Sequence, residues 1–105
     1  MPTDRTQGVF AISVAAEMVS MQVQNLRVYE RRGLLEPDRT PGGTRLYSHA
    51  DIETLHRIRD LLEEGLNLAG IARVLELEDE VRRLRRQVDG LRTAGGPRRW
   101  ARSPE

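Results

Sequence analysis

At 105 residues the chain is one small domain with a tail, and its thin core is expected to need help from a partner subunit. Cysteine is absent, which removes disulfides, thiolate metal sites and cysteine redox switching together. No apolar run is long enough to span a bilayer, and the N-terminus has no signal-peptide pattern. The net charge of +1 conceals segregation, with +1 over residues 1–48, −6 over 49–80 and +6 over 81–105. All 17 basic residues are arginine, a side chain suited to bidentate contact with phosphates and guanine edges.

Residues 1–9 are polar and are expected to be a flexible N-terminus. A short helix then fits Ser13 to Met18, with Ser13 as N-cap and Ala15, Ala16 and Met18 as its apolar face. Val19-Ser20-Met21 reads as a turn. A second helix starts at Gln22 and runs to Arg32, where Gly33 ends it in a left-handed conformation. Val23, Leu26 and Val28 or Tyr29 fall at helical spacing, which leaves Gln24, Asn25, Arg27 and Arg31 outward. Leu34-Leu35-Glu36 and Thr44-Arg45-Leu46-Tyr47 are expected to pair as antiparallel strands around Pro41-Gly42-Gly43, both glycines supplying positive φ. Ser48 caps a third helix with Asp51 three residues on, a shortened capping box. That helix runs to Glu64, ends at Gly65 and buries Ile52, Leu55, Ile58 and Leu62. Asn67 caps a fourth segment.

From Val74 the apolar pattern becomes a strict heptad of Val74, Leu77, Val81, Leu84, Val88 and Leu91. Valine at one seam position and leucine at the other is a dimeric coiled-coil pattern which, by composition alone, favours parallel strands. The chain therefore divides into a flexible start at 1–9, a folded domain at 10–73 and a dimerisation helix at 74–93. A disordered basic tail is expected over 94–105.

A short basic helix followed at once by an arginine-flanked hairpin is what a winged helix-turn-helix presents to DNA. The expected fold is mainly α: a winged helix-turn-helix with a C-terminal coiled-coil dimerisation helix. Gly33-Leu34-Leu35, Pro37, Arg39, Arg45-Leu46-Tyr47, Asp51-Ile52, Leu55 and the Gly65-to-Ile71 segment resemble the MerR family of bacterial transcription regulators over residues 10–77. Val28 departs from that pattern, where many members have a second aromatic. The resemblance implies an antiparallel coiled coil, and it outweighs the parallel reading because three heptads specify orientation weakly. Ile12-Ser13-Val14-Ala15-Ala16, Arg27-Val28-Tyr29-Glu30, Asp38-Arg39-Thr40-Pro41-Gly42-Gly43 and Glu64 to Ile71 look most like the HspR heat-shock repressor branch. That likeness implies a bacterial, cytoplasmic and nucleoid-associated homodimer. It would bind inverted repeats in double-stranded DNA upstream of chaperone genes, with a DnaK-type chaperone as co-repressor.

Gln24 and Asn25 project from the first turn of the presumed recognition helix, and an amide can contact adenine N6 and N7 together. Arg27 and Tyr29 match family positions that contact DNA, a partly buried ring being the other reading of Tyr29. Arg31 lies on the same outward face. Arg39 and Arg45 flank the hairpin and would meet phosphates or the minor groove, although Arg39 could instead pair with Asp38 or Glu36. Tyr47 divides evenly between core and phosphate contact. His49 and His56, two helical turns apart, make a poor metal pair, so neither metal nor cofactor is expected. No nucleophile and base recur together, and no enzyme is expected. Two other readings are a DNA-bending excisionase-like protein that assembles on DNA as monomers and an interaction adaptor. The heptad argues against the first, and Arg27, Arg39 and Arg45 argue against the second. No separate effector domain is expected after the dimerisation helix.

Overall fold

The computed structural model describes residues 4–95. In chain order it holds α1 (Ile12–Met18), α2 (Val23–Arg31), β1 (Asp38–Arg39), β2 (Arg45–Leu46), α3 (His49–Glu63) and α4 (Leu68–Gly95). Among the described residues, the chain up to Ala72 is one compact unit and the chain from Arg73 is a second.

The core of the first unit is built from one face of each short helix. Ala15, Ala16 and Val19 come from the first helix and its end, and Leu26 and Tyr29 from the second. Leu35 and Tyr47 flank the hairpin, while Ile52, Leu55, Ile58, Leu61 and Ile71 complete the set. In α3 the expected Leu62 gives way to Leu61, which is buried while Leu62 is 39% exposed. The two differ by one step on the same arc. The chain after Gly65 turns back with the Leu66 amide on the Leu61 carbonyl, closing over that side of the helix.

Three helices stop in the same way. After α2, the Gly33 amide donates to the Glu30 carbonyl and the Leu34 amide to the Tyr29 carbonyl, with Gly33 at φ 80°. This is a Schellman closure, which satisfies carbonyls that a helix end would otherwise leave bare. The paired bonds recur after α3, and again after α1, where Ser20 donates to Glu17 and Met21 to Ala16. Ser20 therefore holds a left-handed conformation at φ 56° with a side chain attached, a conformation that costs a non-glycine residue roughly 1–2 kcal/mol. Ser20→Gly is expected to raise stability by up to about 1 kcal/mol, because the relief exceeds glycine's extra chain entropy. A melting curve no higher than that of the parent would show the turn to be relaxed with serine.

Three expected boundaries move. The first helix begins at Ile12 with Ala11 as N-cap and no side-chain cap bond, so Ser13 is not its cap. Tertiary pairing decides this: the Phe10 and Tyr47 backbones exchange hydrogen bonds and set the direction of entry two residues before the helix. The strands are not Leu34–Glu36 and Thr44–Tyr47 but β1 and β2, antiparallel with Asp38 opposite Leu46 and Arg39 opposite Arg45. Leu34 has spent its amide on the helix stop and Pro37 has none, so the ladder can only start at Asp38. Of the two turn glycines only Gly43 has positive φ, at 90°. Thr40 accepts from Gly43 and donates to Thr44, the five-residue closure of a type I turn followed by a left-handed residue.

Among the described residues before the first helix, the chain is held rather than loose. The Gly8 amide donates to Asp38 Oδ2 at 2.8 Å, Val9 and Phe10 donate to the Tyr47 carbonyl, and Ala50 donates to the Arg5 carbonyl. Arg5 also pairs with Glu53. Within the segment expected to be flexible, residues 4–9 form an arm laid along the hairpin and the start of α3, and residues 1–3 lie outside the described residues. At that start the Ser48–Asp51 capping box forms in both directions. Asn67 Oδ1 accepts from the Gly70 amide as expected. The last helix continues through Gly95, past the expected end at Thr93, and the tail from residue 96 lies outside the described residues.

Candidate nucleic-acid interface

The second helix presents two faces of opposite character. Leu26 and Tyr29 are buried, whereas Gln24, Asn25, Arg27, Arg31 and Arg32 are exposed. Gln24, Arg27 and Arg31 follow at intervals of three and four residues and share one side. Val19 to Gln22 forms the preceding turn, so α1 and α2 make a helix-turn-helix with Gln24 and Asn25 in the first turn of its second helix. The guanidinium of Arg59 in α3 braces that turn, donating to the Val19 carbonyl at 2.8 Å.

The hairpin arginines are not paired with their sequence neighbours. Arg39 donates through Nη2 to Glu30 Oε2 at 2.6 Å and through Nη1 to the Gly43 carbonyl at 3.0 Å. Arg45 donates through Nε to the other oxygen of Glu30. One carboxylate on the second helix thus grips both wing arginines. Partial desolvation alone would push the Glu30 carboxyl up. Hydrogen bonds and charge from Arg45, then from Arg39, outweigh that and hold it below its ordinary value. The expected Asp38 or Glu36 partner for Arg39 is therefore replaced by Glu30, and Asp38 instead receives Gly8. Glu30 did not emerge from the sequence pattern as a site residue. Its signals were its place in the Arg27-Val28-Tyr29-Glu30 motif and its being the only acid between Met18 and Leu35.

The two tyrosines belong to the core. Tyr29 is 5% exposed and Tyr47 is fully buried. Burial raises both phenols above their ordinary value, and the Glu30 charge adds to the effect at Tyr47. The Tyr47 hydroxyl is itself buried, with no hydrogen-bond partner among the described residues, which favours the core reading of this ring over a phosphate contact. Tyr47 accordingly leaves the expected contact set. Tyr29 keeps at most an edge, its ring serving to seat the second helix. Gln24, Asn25, Arg27, Arg31, Arg39 and Arg45 remain on or near the surface of the helix and its wing. His49 stacks edge-on against Phe10, with ring centroids 4.9 Å apart.

On the last helix the heptad residues form an apolar stripe. Leu77, Val81, Leu84, Val88 and Leu91 are 38–67% exposed, and Val74 is half-buried. Two open grooves of about 430 and 290 Å³ follow the stripe. The first is lined by Val81, Leu84 and Val88 and the second by Val74, Leu77 and Val81, with arginine stems along their edges. Outside the stripe the helix is bound up in short-range ion pairs, including Arg73–Glu76, Arg82–Asp79 and Arg83–Glu80. Such pairs support a solvated helix but contribute little each. Among the described residues no helix is long and apolar enough to cross a membrane.

Comparison with known proteins agrees with this geometry. The model of the MerR helix-turn-helix family of regulatory proteins matches residues 10–78. The chain is 47% identical over 87 residues to a Streptomyces coelicolor protein named "Putative heat shock protein HspR", covering 82% of this chain and 58% of that protein. The chain thus spans little more than half the length of that relative. Among solved structures, a MerR-family transcriptional regulator from Bacillus cereus is 29% identical with a TM-score of 0.61, covering 82% of this chain and 69% of that one. HiNmlR, a MerR-family regulator lacking the sensor domain and solved bound to promoter DNA, shares the fold at 23% identity and a TM-score of 0.60. That match covers 81% of this chain and 76% of HiNmlR. With its two-stranded wing, its exposed basic helix and a family match over most of its length, the chain belongs to the MerR family of DNA-binding transcription regulators, a family without enzymatic activity.

Proposed function

We propose that this regulator is a dimeric repressor of heat-shock genes that reads an inverted repeat in their promoters. The observation that carries the heat-shock assignment is the 47% identity to the HspR-named protein across 82% of the chain. The dimer rests on the apolar stripe, which a second copy would cover. An antiparallel pair centred between Arg82 and Arg83 sets Val74 opposite Leu91, Leu77 opposite Val88 and Val81 opposite Leu84, one valine and one leucine in every layer. It also lays the acidic run Glu76, Glu78, Asp79 and Glu80 against the partner's basic run of Arg82 to Arg92, whereas parallel strands would set like against like. Two readers related by a two-fold axis match a palindromic operator. A DnaK-type chaperone is the proposed co-repressor, withdrawn from the complex when unfolded proteins appear.

Within the DNA surface the proposed roles divide. Gln24 and Asn25 read base edges, Arg27 and Arg31 support them, and Arg39 and Arg45 hold phosphates through the wing. Gln24→Ala and Asn25→Ala are expected to change preference at particular base pairs, by about 1–3 kcal/mol each. Arg39→Ala and Arg45→Ala should weaken binding to every sequence and flatten its dependence on salt. Sequencing the genomic fragments retained by the purified protein identifies the operator, and selection from a randomised version of it separates the roles. Unchanged preference in both amide variants would remove them from the readout. Retained fragments lying away from chaperone promoters would overturn the heat-shock assignment.

A further inference from the structure

We propose that Glu30 is a specificity-determining positioning residue, a carboxylate that locks the wing to the recognition helix and suppresses binding to DNA of the wrong sequence. The inference rests on the DNA-binding reading above and deepens it. Glu30 stands on the helix that carries Gln24 and Asn25, and its two oxygens hold Arg39 on one hairpin strand and Arg45 on the other. Arg39 and Arg45 face each other in the strand register, so a single group fixes both sides of the wing at once. The second bond of Arg39, to the Gly43 carbonyl, extends the same brace to the hairpin turn.

An acid here works against DNA binding in general. Affinity for any duplex comes from cations that displace counterions from phosphates. Glu30 cancels one of the two wing charges and so weakens that sequence-independent attraction. What it supplies in exchange is order. Arg39 keeps its remaining N–H groups for a phosphate, and Arg45 keeps both Nη groups, in positions already set relative to the base-reading turn of α2. On the correct sequence, helix and wing engage together without a further ordering cost. On a wrong sequence, a wing tied to a misfitting helix cannot swing out to reach phosphates independently. Discrimination is then built from restraint as well as from contact.

Two variants separate charge from geometry. Glu30→Gln removes the charge and keeps the length. Glu30→Asp keeps the charge but falls one methylene short of spanning both guanidiniums. Each is compared with the parent on two probes: a duplex that the parent protein selects from a random library, and sheared mixed-sequence duplex, over a series of salt concentrations. Glu30→Gln is expected to bind mixed-sequence DNA several-fold more tightly and to steepen its salt slope by about 0.9, the change that one further phosphate contact brings. Its ratio of selected to mixed affinity is expected to fall on the order of tenfold. Glu30→Asp leaves the net charge unchanged but frees the wing, so it should bind mixed-sequence DNA modestly more tightly and lose part of the ratio.

Melting curves establish which variants are folded at the binding temperature. If Glu30→Gln is not folded, the Glu30→Asp ratio decides alone. An unchanged ratio in the folded variants, including one in which binding to both probes weakens alike, would overturn the proposal. Failure of the parent itself to bind either duplex with salt dependence would instead remove the DNA-binding reading beneath it.

Discussion

Leu84→Glu is expected to convert the protein to a monomer and to lower operator affinity by more than about 100-fold, because a carboxylate placed in an apolar seam must be desolvated without a partner. Leu84 and Val81 flank the centre of the heptad stripe. In a two-fold pair each substitution therefore enters the interface twice, within a few ångströms of the axis. The residue is 46% exposed in the single chain, so the change should leave the fold of one chain almost untouched. That separation makes the result informative. Sedimentation should show a monomer whose circular dichroism matches the parent at equal helix content per chain, apart from the last helix. Loss of operator binding follows because each half-site is then bound singly and the second no longer benefits from the first. A Leu84→Glu protein that still sediments as a dimer would show that the stripe is not the dimer seam.

The second large effect lies in the core and bears on how heat is sensed. Leu55 is fully buried on the third helix. Leu55→Ala is expected to cost about 2–5 kcal/mol, from lost transfer energy and an unfilled cavity. A domain of this size has only about 5–15 kcal/mol to lose. The melting midpoint should fall by about 8–40 °C, since each kcal/mol shifts a domain of this size by about 4–8 °C. Leu55 is fully buried, whereas Gln24, Asn25 and Arg39 are exposed and Arg45 is partly so. Operator affinity well below the new midpoint should accordingly equal that of the parent.

The same pair of proteins distinguishes two routes of derepression. If heat acts by melting the dimer, the temperature of DNA release moves down with the midpoint in Leu55→Ala. If a DnaK-type chaperone acts as co-repressor, adding it tightens operator binding in both proteins below their midpoints. Release on adding unfolded protein should then occur at a constant temperature. Release that tracks the midpoint with no chaperone effect would leave intrinsic thermosensing as the mechanism.

Much of this molecule was legible in the residues taken one after another, because the features concerned are local. Gly33 and Gly65 mark helix stops, since the left-handed closure they make depends on three or four adjacent residues. Ser48 and Asp51 write a capping box within one turn, and the heptad from Val74 to Leu91 repeats at a period that no compact fold is needed to detect. The helix-turn-helix and the outward face of Gln24, Asn25, Arg27 and Arg31 followed from the same periodicity. Tertiary structure decided everything that depends on residues distant in sequence. The pairing of Phe10 with Tyr47 started the first helix at Ile12 in place of Ser13 and turned the apparently loose residues 4–9 into an arm bound to Asp38 and Ala50. The spent amide of Leu34 moved the strands to Asp38 and Arg45. Complete burial assigned Tyr47 to the core, a distinction that a hydroxyl on an aromatic ring does not announce. The Glu30 grip on Arg39 and Arg45 joins side chains 9 and 15 residues apart. Sequence spacing alone cannot reveal it, because only the folded path of the wing brings two guanidiniums to one carboxylate.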